Sequence, residues 1–416
     1  MSLPALSILA FVAAILLSCF TQINVGFLSV AFAFLVGVGF GGLRAQDVAA
    51  GFPASLFLVL TGVTLLFSQA QVNGTLEQVA RRSVRLARGN PGWIALIFFG
   101  LAAALASIGA GNIATTALLA PVAMAAADQA GISALLMTVM VATGANCGAL
   151  SPFAPTGVIA NGILARIGIH GAAWPTFFNN FVAEAVVGLG GFFVLGGAKL
   201  LARGGAARIS TPAPEPLRWP QILTLTLIGI LILSVVLFRV DVGMGAFLAA
   251  AVLTLTRAAD ENEAVRLMPW GTIVMVSGVT VLISILEKTG GMGLFTTALA
   301  KFSNPTTVTG VIAFVTGLVS VYSSSSGVVL PAFLPTIPGL IEKMGGGDPL
   351  ALASTINVSA HLVDVSPLST LGALCMACAP ARENRDVLFR KLLLWGLSMC
   401  VVGALVCWVF FGLLRL

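Results

Sequence analysis

The chain has 416 residues, of which 58% are hydrophobic and 9% charged, where an ordinary soluble domain carries about 25% charged residues. That balance excludes a soluble enzyme or binding module and places the chain in lipid, as an all-α polytopic membrane protein of the cytoplasmic (inner) membrane. The net charge of +6 lies in connecting segments, which fits membrane orientation better than a nucleic-acid partner.

Apolar stretches at 4–19, 24–42, 53–70, 174–200, 219–238, 242–256, 269–286 and 392–414 approach or exceed the roughly 17–25 residues that span a bilayer. They are read as eight simple crossings. The first resembles a signal peptide ending near Leu17-Ser18-Cys19, but no Lys or Arg precedes it and apolar sequence resumes at once, so it is read as a retained helix. Trp93, Trp174, Trp219 and Trp270 stand where helices begin, as interfacial anchors do. After the third stretch, TLEQVARRSVRLARG is too polar to span and is expected to lie along the interface.

Residues 91–128 come next. Gly109, Gly111 and Asn112 interrupt an apolar run there, leaving arms at 94–107 and 115–127. An arm of about 14 residues reaches about 20 Å into a core about 30 Å thick, so the segment is expected to be a re-entrant hairpin whose tip stops inside the membrane. Residues 132–168 read as a broken helix, with Asn146, Ser151, Pro152, Pro155 and Thr156 in a break between Thr143 and Thr156. Proline removes an amide donor and glycine loosens the chain, which frees backbone groups to face a solute. Such backbone is tolerated at membrane depth where it is buried in protein or lines a watery cavity. The stretch at 174–200 completes this half and carries Glu184, which has no acidic counterpart about 215 positions on and is read as structural.

A polar, Pro-bearing cytoplasmic linker occupies 204–218. Beyond it the landmarks return. Gly62-Val63-Thr64-Leu65 recurs as Gly278-Val279-Thr280-Val281 and Pro53 as Pro269, both 216 positions on; Val25-Gly26 recurs as Val242-Gly243 at 217, and Ser151-Pro152 as Ser366-Pro367 at 215. A constant offset reads as a duplication, with halves at 1–203 and 219–416. The second half holds the amphipathic GMGLFTTALAKF, a hairpin at 305–343 and a broken helix at 349–380. If each hairpin enters and leaves on one side, each half crosses five times, and an odd number inverts the second half. Charge agrees: with Arg81, Arg82, Arg85 and Arg88 in the cytoplasm, only Arg44, Arg166, Arg239, Lys288, Lys301, Lys343 and Arg415 of the 21 Lys and Arg face out. The expected fold is an inverted repeat of two five-helix halves, about 10 transmembrane helices plus two hairpins, with both termini outside.

Inversion brings both hairpin tips and both breaks to the bilayer midplane around a pseudo-two-fold axis. Candidate solute ligands are Asn112, Thr115, Ser151 and Thr156 from the first half and Ser325, Ser326, Ser366, Ser369 and Thr370 from the second. Helix N-termini add partial positive charge, so this cradle suits a small organic dianion. No Arg or Lys lies in either break, and a coupling cation or proton is expected at Ser107, Gly111, Asn146, Ser323, Ser324, His361 and Asp364. His361 and Asp364, three positions apart, share a helix face, and intramembrane acids and imidazoles point to cation ligation or proton relay. Small polar residues also serve close helix packing; the mirrored placement of four such clusters carries the functional reading. The six Cys lie in apolar segments, and Cys375 with Cys378 has no second pair, so they read as packing residues without disulfide or metal. No cofactor is expected, bound Na⁺ as a coupling ion aside.

At these residues the chain resembles the ion transporter superfamily, in its divalent anion symporter branch with malonate and dicarboxylate carrier (MatC) relatives. INVGFLSVAFAFLVGVGFGG, GFPASLFLVLTGVTLLFSQAQVNGTLE and GNIATTALLAPVAM resemble the MatC amino-terminal region, and the hairpin-plus-broken-helix plan covers nearly the whole chain. The resemblance implies an elevator-type secondary transporter of malonate or a C4-dicarboxylate, coupled to Na⁺ or H⁺ and working as a homodimer. Related symporters carry Ser-Asn-Thr at each tip; here the tips read Gly111-Asn112-Ile113 and Ser325-Ser326-Gly327, keeping only the Asn and the first Ser. Two other functions bear weighing. A cation/proton antiporter or inorganic anion exporter of the same superfamily would run on His361 and Asp364. An intramembrane enzyme would need H-E-x-x-H or G-x-S-x-G, neither of which occurs, with His170 and His361 the only imidazoles.

Overall fold

The computed structural model describes every residue except 1, 22, 85–89, 204–215, 239, 302–303, 305, 381 and 415–416. Most of the expected linker, and Arg85, Arg88, Arg208, Arg239 and Arg415 of the charge argument, therefore lie outside the described residues. Among the described residues all regular structure is helical, the arrangement that satisfies backbone hydrogen bonds within one segment in lipid.

The first half runs α1 (Leu3–Thr21), α2 (Val25–Phe34), α3 (Ala45–Ala49), α4 (Ala54–Val72), α5 (Thr75–Val84), α6 (Pro91–Leu105), α7 (Gly111–Ala130), α8 (Ala134–Ala149), α9 (Pro155–Arg166), α10 (Ala173–Val194) and α11 (Gly197–Ala202). The second runs α12 (Trp219–Phe238), α13 (Val242–Leu255), α14 (Glu261–Leu267), α15 (Trp270–Lys288), α16 (Gly291–Lys301), α17 (Val308–Tyr322), α18 (Leu330–Phe333), α19 (Ile337–Met344), α20 (Pro349–Leu362), α21 (Thr370–Ala377) and α22 (Arg385–Cys407). Among the described residues seven helical runs are long and apolar enough to cross a membrane, and shorter apolar helices of 10–17 residues accompany them. Leu255, Val194 and Phe238 are more than three-quarters exposed on the outer surface, which suits lipid contact. Trp93, Trp174, Trp219 and Trp270 fall in the first turn of α6, α10, α12 and α15, all exposed.

Caps recur at matching places. Asn24 accepts from the Gly26 amide at the start of α2, and Asp241 from the Met244 amide at the start of α13. Ser133 and Asp348 do the same for α8 and α20. Each satisfies a helix amide that has no partner inside its helix.

Helix contacts cross between the halves. α2 packs on α15 and α13 packs on α4. A Cβ on Gly26 would collide with the Val274 carbonyl, and one on Gly278 with the Gly26 carbonyl. In the other pairing a Cβ on Gly62 would sit 2.5 Å from the Gly243 oxygen, and one on Gly243 2.5 Å from the Val59 Cα. Glycine is what allows these backbones to touch. The glycine landmarks at offsets 216 and 217 are therefore contact points between the paired helices.

Two expected details differ. The second arm of the first hairpin is the whole of α7, 20 residues from Gly111, because Pro121 is carried inside the helix. The first break is shorter than Thr143 to Thr156: α8 stays helical to Ala149 and α9 starts at Pro155, so Asn146 lies inside α8.

Candidate functional site

Both tips are built from irregular turns. Gly109 and Gly111 adopt φ of 126° and 75°, a region that costs a residue with a Cβ about 1–3 kcal/mol. Together they turn the chain from α6 into α7, which pack on one another, and present Asn112 at the tip. In the second half α17 ends at Tyr322, and Ser324 accepts from the Gly327 amide to open the next turn, Ser325–Val329. The two breaks share a device. A Cβ on Gly157 would strike the Ser151 carbonyl, and one on Gly372 the Ser366 carbonyl. A glycine 215 positions from its counterpart was the available sequence signal for these turns.

One hydrogen-bonded chain ties the four interrupted segments together. Asn112 Nδ2 donates to Asn146 Oδ1 at 2.8 Å, and Asn146 Nδ2 donates to the His361 carbonyl at 2.8 Å. The Asn146 amide also stands beside the Asp364 carboxyl. Asp364 Oδ1 accepts from Ser325 Oγ at 2.7 Å. Ser369 Oγ donates to the Asp364 carbonyl at 2.9 Å, with the carboxylate oxygen 3.3 Å away. Ser320 Oγ, which the sequence reading passed over, donates to the Ala360 carbonyl at 2.8 Å beside Ser325. Asn180, also passed over, donates to the Asn146 carbonyl at 2.8 Å.

Around this chain lie three cavities. A neck of about 20 Å³ is lined by Asn112, Ser323, Ser324, Ser325, Ser326, Asp364, Ser369 and Thr370. On one side it shares Ser323, Ser324, Ser369 and Thr370 with a cavity of about 220 Å³ reaching Ser18 and Tyr322. On the other it shares Asn112 and Ser326 with a cavity of about 210 Å³, whose lining adds Gly111, Thr156 and, from α4, Thr64, Ser68 and Gln71. One boundary of the neck is a helix N-terminus, where Ser369 and Thr370 open α21, and a second N-terminus, Pro155 and Thr156 opening α9, lines the adjoining cavity. The α4 residues escaped the sequence reading because that stretch reads as a plain crossing.

The remaining candidates sit elsewhere. Ser151 Oγ donates to the Ser107 carbonyl at 2.6 Å, bracing the break against the hairpin. Ser366 Oγ accepts from the Leu368 amide at 3.3 Å within its own turn. Thr115 is buried in α7 without a hydrogen-bond partner and lines none of the three cavities. His361 does not pair with Asp364. The helix tightens into a 3₁₀ turn at Val363–Val365, which carries Asp364 toward the serines, while His361 Nδ1 is 2.7 Å from the Asn357 carbonyl of its own helix.

The segment from α1 through α8, which supplies Asn112 and Asn146, is the part with a recognisable family. Residues 1–149 match the model for the dicarboxylate carrier protein MatC N-terminus. The MatC-matching region thus ends where the first break begins, and Ser325, Asp364, Ser369 and Thr370 lie beyond it. No curated protein sequence matches the chain. Solved structures share its fold, and two of them are transport proteins by their descriptions. One is Neisseria gonorrhoeae MtrF, described as illuminating a class of antimetabolite efflux pumps: 12% identity, 88% of this chain and 82% of that one, TM-score 0.58. The other is the Alcanivorax borkumensis YdaH transporter: 15% identity, 88% and 87% coverage, TM-score 0.57. Together with the membrane-length apolar helices, these likenesses make the chain an integral membrane protein with a transporter fold.

Proposed function

We propose that the protein is a secondary active transporter of a small dicarboxylate, malonate or a C4-dicarboxylate, with the neck and the cavities that flank it as the substrate path and a cation moving with the substrate. The observation that carries this reading is the convergence of two hairpin tips and the second half's break on one amide- and hydroxyl-lined neck between two wider cavities. Broken helices meeting in mid-membrane are where transporters bind solute. Serine and threonine hydroxyls, asparagine amides and the α9 and α21 N-termini are donors for carboxylate oxygens. The MatC match over residues 1–149 supports the dicarboxylate.

Asp364 is the only ionisable side chain in the neck's lining among the described residues, and when ionised it has the wrong sign for a dianion. A coupling cation, Na⁺ or H⁺, offsets it while the substrate is bound. The two halves form an inverted repeat in this reading, supported by the exchange of contacts: α2 meets α15 while their sequence counterparts α13 and α4 meet each other, as a two-fold relation requires. The hairpins and broken helices, joined by the Asn112–Asn146–His361 chain, then move as one body in an elevator mechanism within a homodimer of the inner membrane.

The test is uptake of labelled malonate, succinate and fumarate into proteoliposomes by the wild type and Asn112→Ala. Loss of the Asn112 donor leaves Asn146 Oδ1 buried and unmatched, a cost of about 1–3 kcal/mol. Uptake in the variant is expected to fall at least tenfold while the protein still purifies as a folded species. Unchanged uptake of all three acids would remove the neck from the substrate path. Exchange that proceeds with no organic acid present would favour the antiporter.

A further inference from the structure

Glu184 lies midway along α10, outside the neck, with no exposed surface. Neither carboxyl oxygen has a hydrogen-bond partner. A carboxylate removed from water with neither cation nor donor beside it is among the most costly states in a protein, so the group is a neutral carboxylic acid here.

A second observation points the same way. Asn180 precedes Glu184 by one helical turn on the same face. Its Nδ2 donates to the Asn146 carbonyl, yet its buried Oδ1 has no donor. A protonated carboxyl on the next turn is a donor of the kind that acceptor lacks. Through Asn146 the pair is linked to the neck, since Asn146 bonds Asn112 and stands beside Asp364.

Among the elements packed on α10, α8 carries Cys147, α20 carries His361, α9 carries Arg166 in its last turn and α11 carries Lys199, while α22, whose Trp395 lies against Gly191, carries Cys400, Cys407 and, near its start, Arg385, Asp386, Arg390 and Lys391. None of these forms a hydrogen bond or ion pair with Glu184. Asp364, on the turn after α20, is held by Ser325 and Ser369 and forms no hydrogen bond with Glu184.

We propose that Glu184 binds the coupling proton, which makes the transporter H⁺-driven and places its proton site on α10, apart from the substrate neck. Glu184 is protonated while buried, as described here. When the conformational change exposes it to water on the opposite side, its O–H bond breaks heterolytically, the proton passes to water and the carboxylate remains to be reprotonated in the return step. This rests on the transport reading above.

The experiment uses Na⁺-free proteoliposomes of the full chain, with the membrane potential clamped by K⁺ and valinomycin, labelled malonate or succinate, and a pH gradient of one unit, acid outside. The wild type is expected to accumulate substrate about tenfold per coupled proton, because one pH unit is a tenfold proton ratio. Glu184→Gln keeps counterflow of labelled against unlabelled substrate at equal pH but accumulates nothing above equilibrium, and Glu184→Asp keeps the response to the gradient. Gradient-driven accumulation by Glu184→Gln at the wild-type level would overturn the proposal. An entrapped pH dye removes dependence on the variant folding: net wild-type uptake into substrate-free vesicles without an imposed gradient acidifies the lumen, and net uptake without acidification overturns the proposal while leaving transport intact. Wild type that shows no counterflow of any dicarboxylate overturns the transport reading, and this inference with it.

Discussion

Gly62→Ala offers a direct test of the crossed helix packing. The new Cβ would lie 2.5 Å from the Gly243 carbonyl oxygen and 2.7 Å from Phe247 Cδ2. An ordinary contact is about 3.5 Å, so α13 has to retreat by about 1 Å from α4 along a face where both backbones touch. The Phe247 ring can rotate, whereas the Gly243 backbone moves only with its helix. Overpacking of this kind costs about 1–3 kcal/mol. Thermal unfolding of the detergent-solubilised protein, followed by size-exclusion recovery after heating, is expected to shift down by several degrees. Gly278→Ala, whose Cβ meets the Gly26 backbone in the other pairing, is expected to cost a similar amount. Gly190→Ala is the control, with nothing within 4 Å of its added Cβ; it is expected to be neutral or slightly stabilising, since alanine favours the helix by about 1 kcal/mol. Wild-type stability in Gly62→Ala, or a large loss in Gly62→Ala with none in Gly278→Ala, would refute the idea that the two junctions are equivalent.

Asp364→Asn removes the neck's negative charge while Ser325 and Ser369 still find an acceptor; a unit charge about 5 Å from a substrate carboxylate costs about 3 kcal/mol at an effective dielectric near 20. Isothermal titration at fixed pH is expected to show dicarboxylate binding about tenfold or more tighter than wild type, and unchanged affinity would exclude Asp364 from the substrate site. Gly111→Ala forces an L-residue to a φ of 75° with its Cβ 3.0 Å from Pro155 Cδ. It is expected to cost about 1–3 kcal/mol and to lower uptake far more than Gly131→Ala, which strains a φ of 66° in open space at the far end of α7; equal uptake by the two variants would speak against a set tip geometry. Loss of a helix cap costs about 1 kcal/mol, so Asn24→Ala and Asp241→Ala should each lower thermal stability modestly. Asn24 should lose more, because its amide also donates to the Gly271 carbonyl at 2.7 Å.

The interrupted segments were legible in the sequence because glycine and proline break an apolar run visibly; Gly109, Gly111, Pro155 and Ser366-Pro367 all mark real turns. The offset landmarks pointed to the touching glycines for the same reason, since close backbones tolerate little else. What stayed hidden was side-chain partnership. Nothing in residue spacing reveals that the helix tightens after Leu362 and swings Asp364 away from His361 toward Ser325, nor that Asn146 sits inside a continuous helix and reaches across to the other half. Ser68 and Gln71 looked like incidental polar residues in a crossing, and only the packing of α4 turns them toward a cavity. Glu184 appeared structural for want of a counterpart, yet a structural carboxyl ordinarily has partners, and this one has none.

The crossed glycine junctions also bear on biogenesis. α2 and α4 leave the ribosome well over a hundred residues before α15 and α13, the helices that cover them. At about 5–20 residues per second, that separation leaves bare small-residue faces in the bilayer for roughly 10–40 s. During that interval the nascent first half is an incomplete object, open to insertion factors, to lipid or to a misplaced neighbour, and a chain terminated before α13 should be cleared by membrane proteases rather than persist as a stable half-protein.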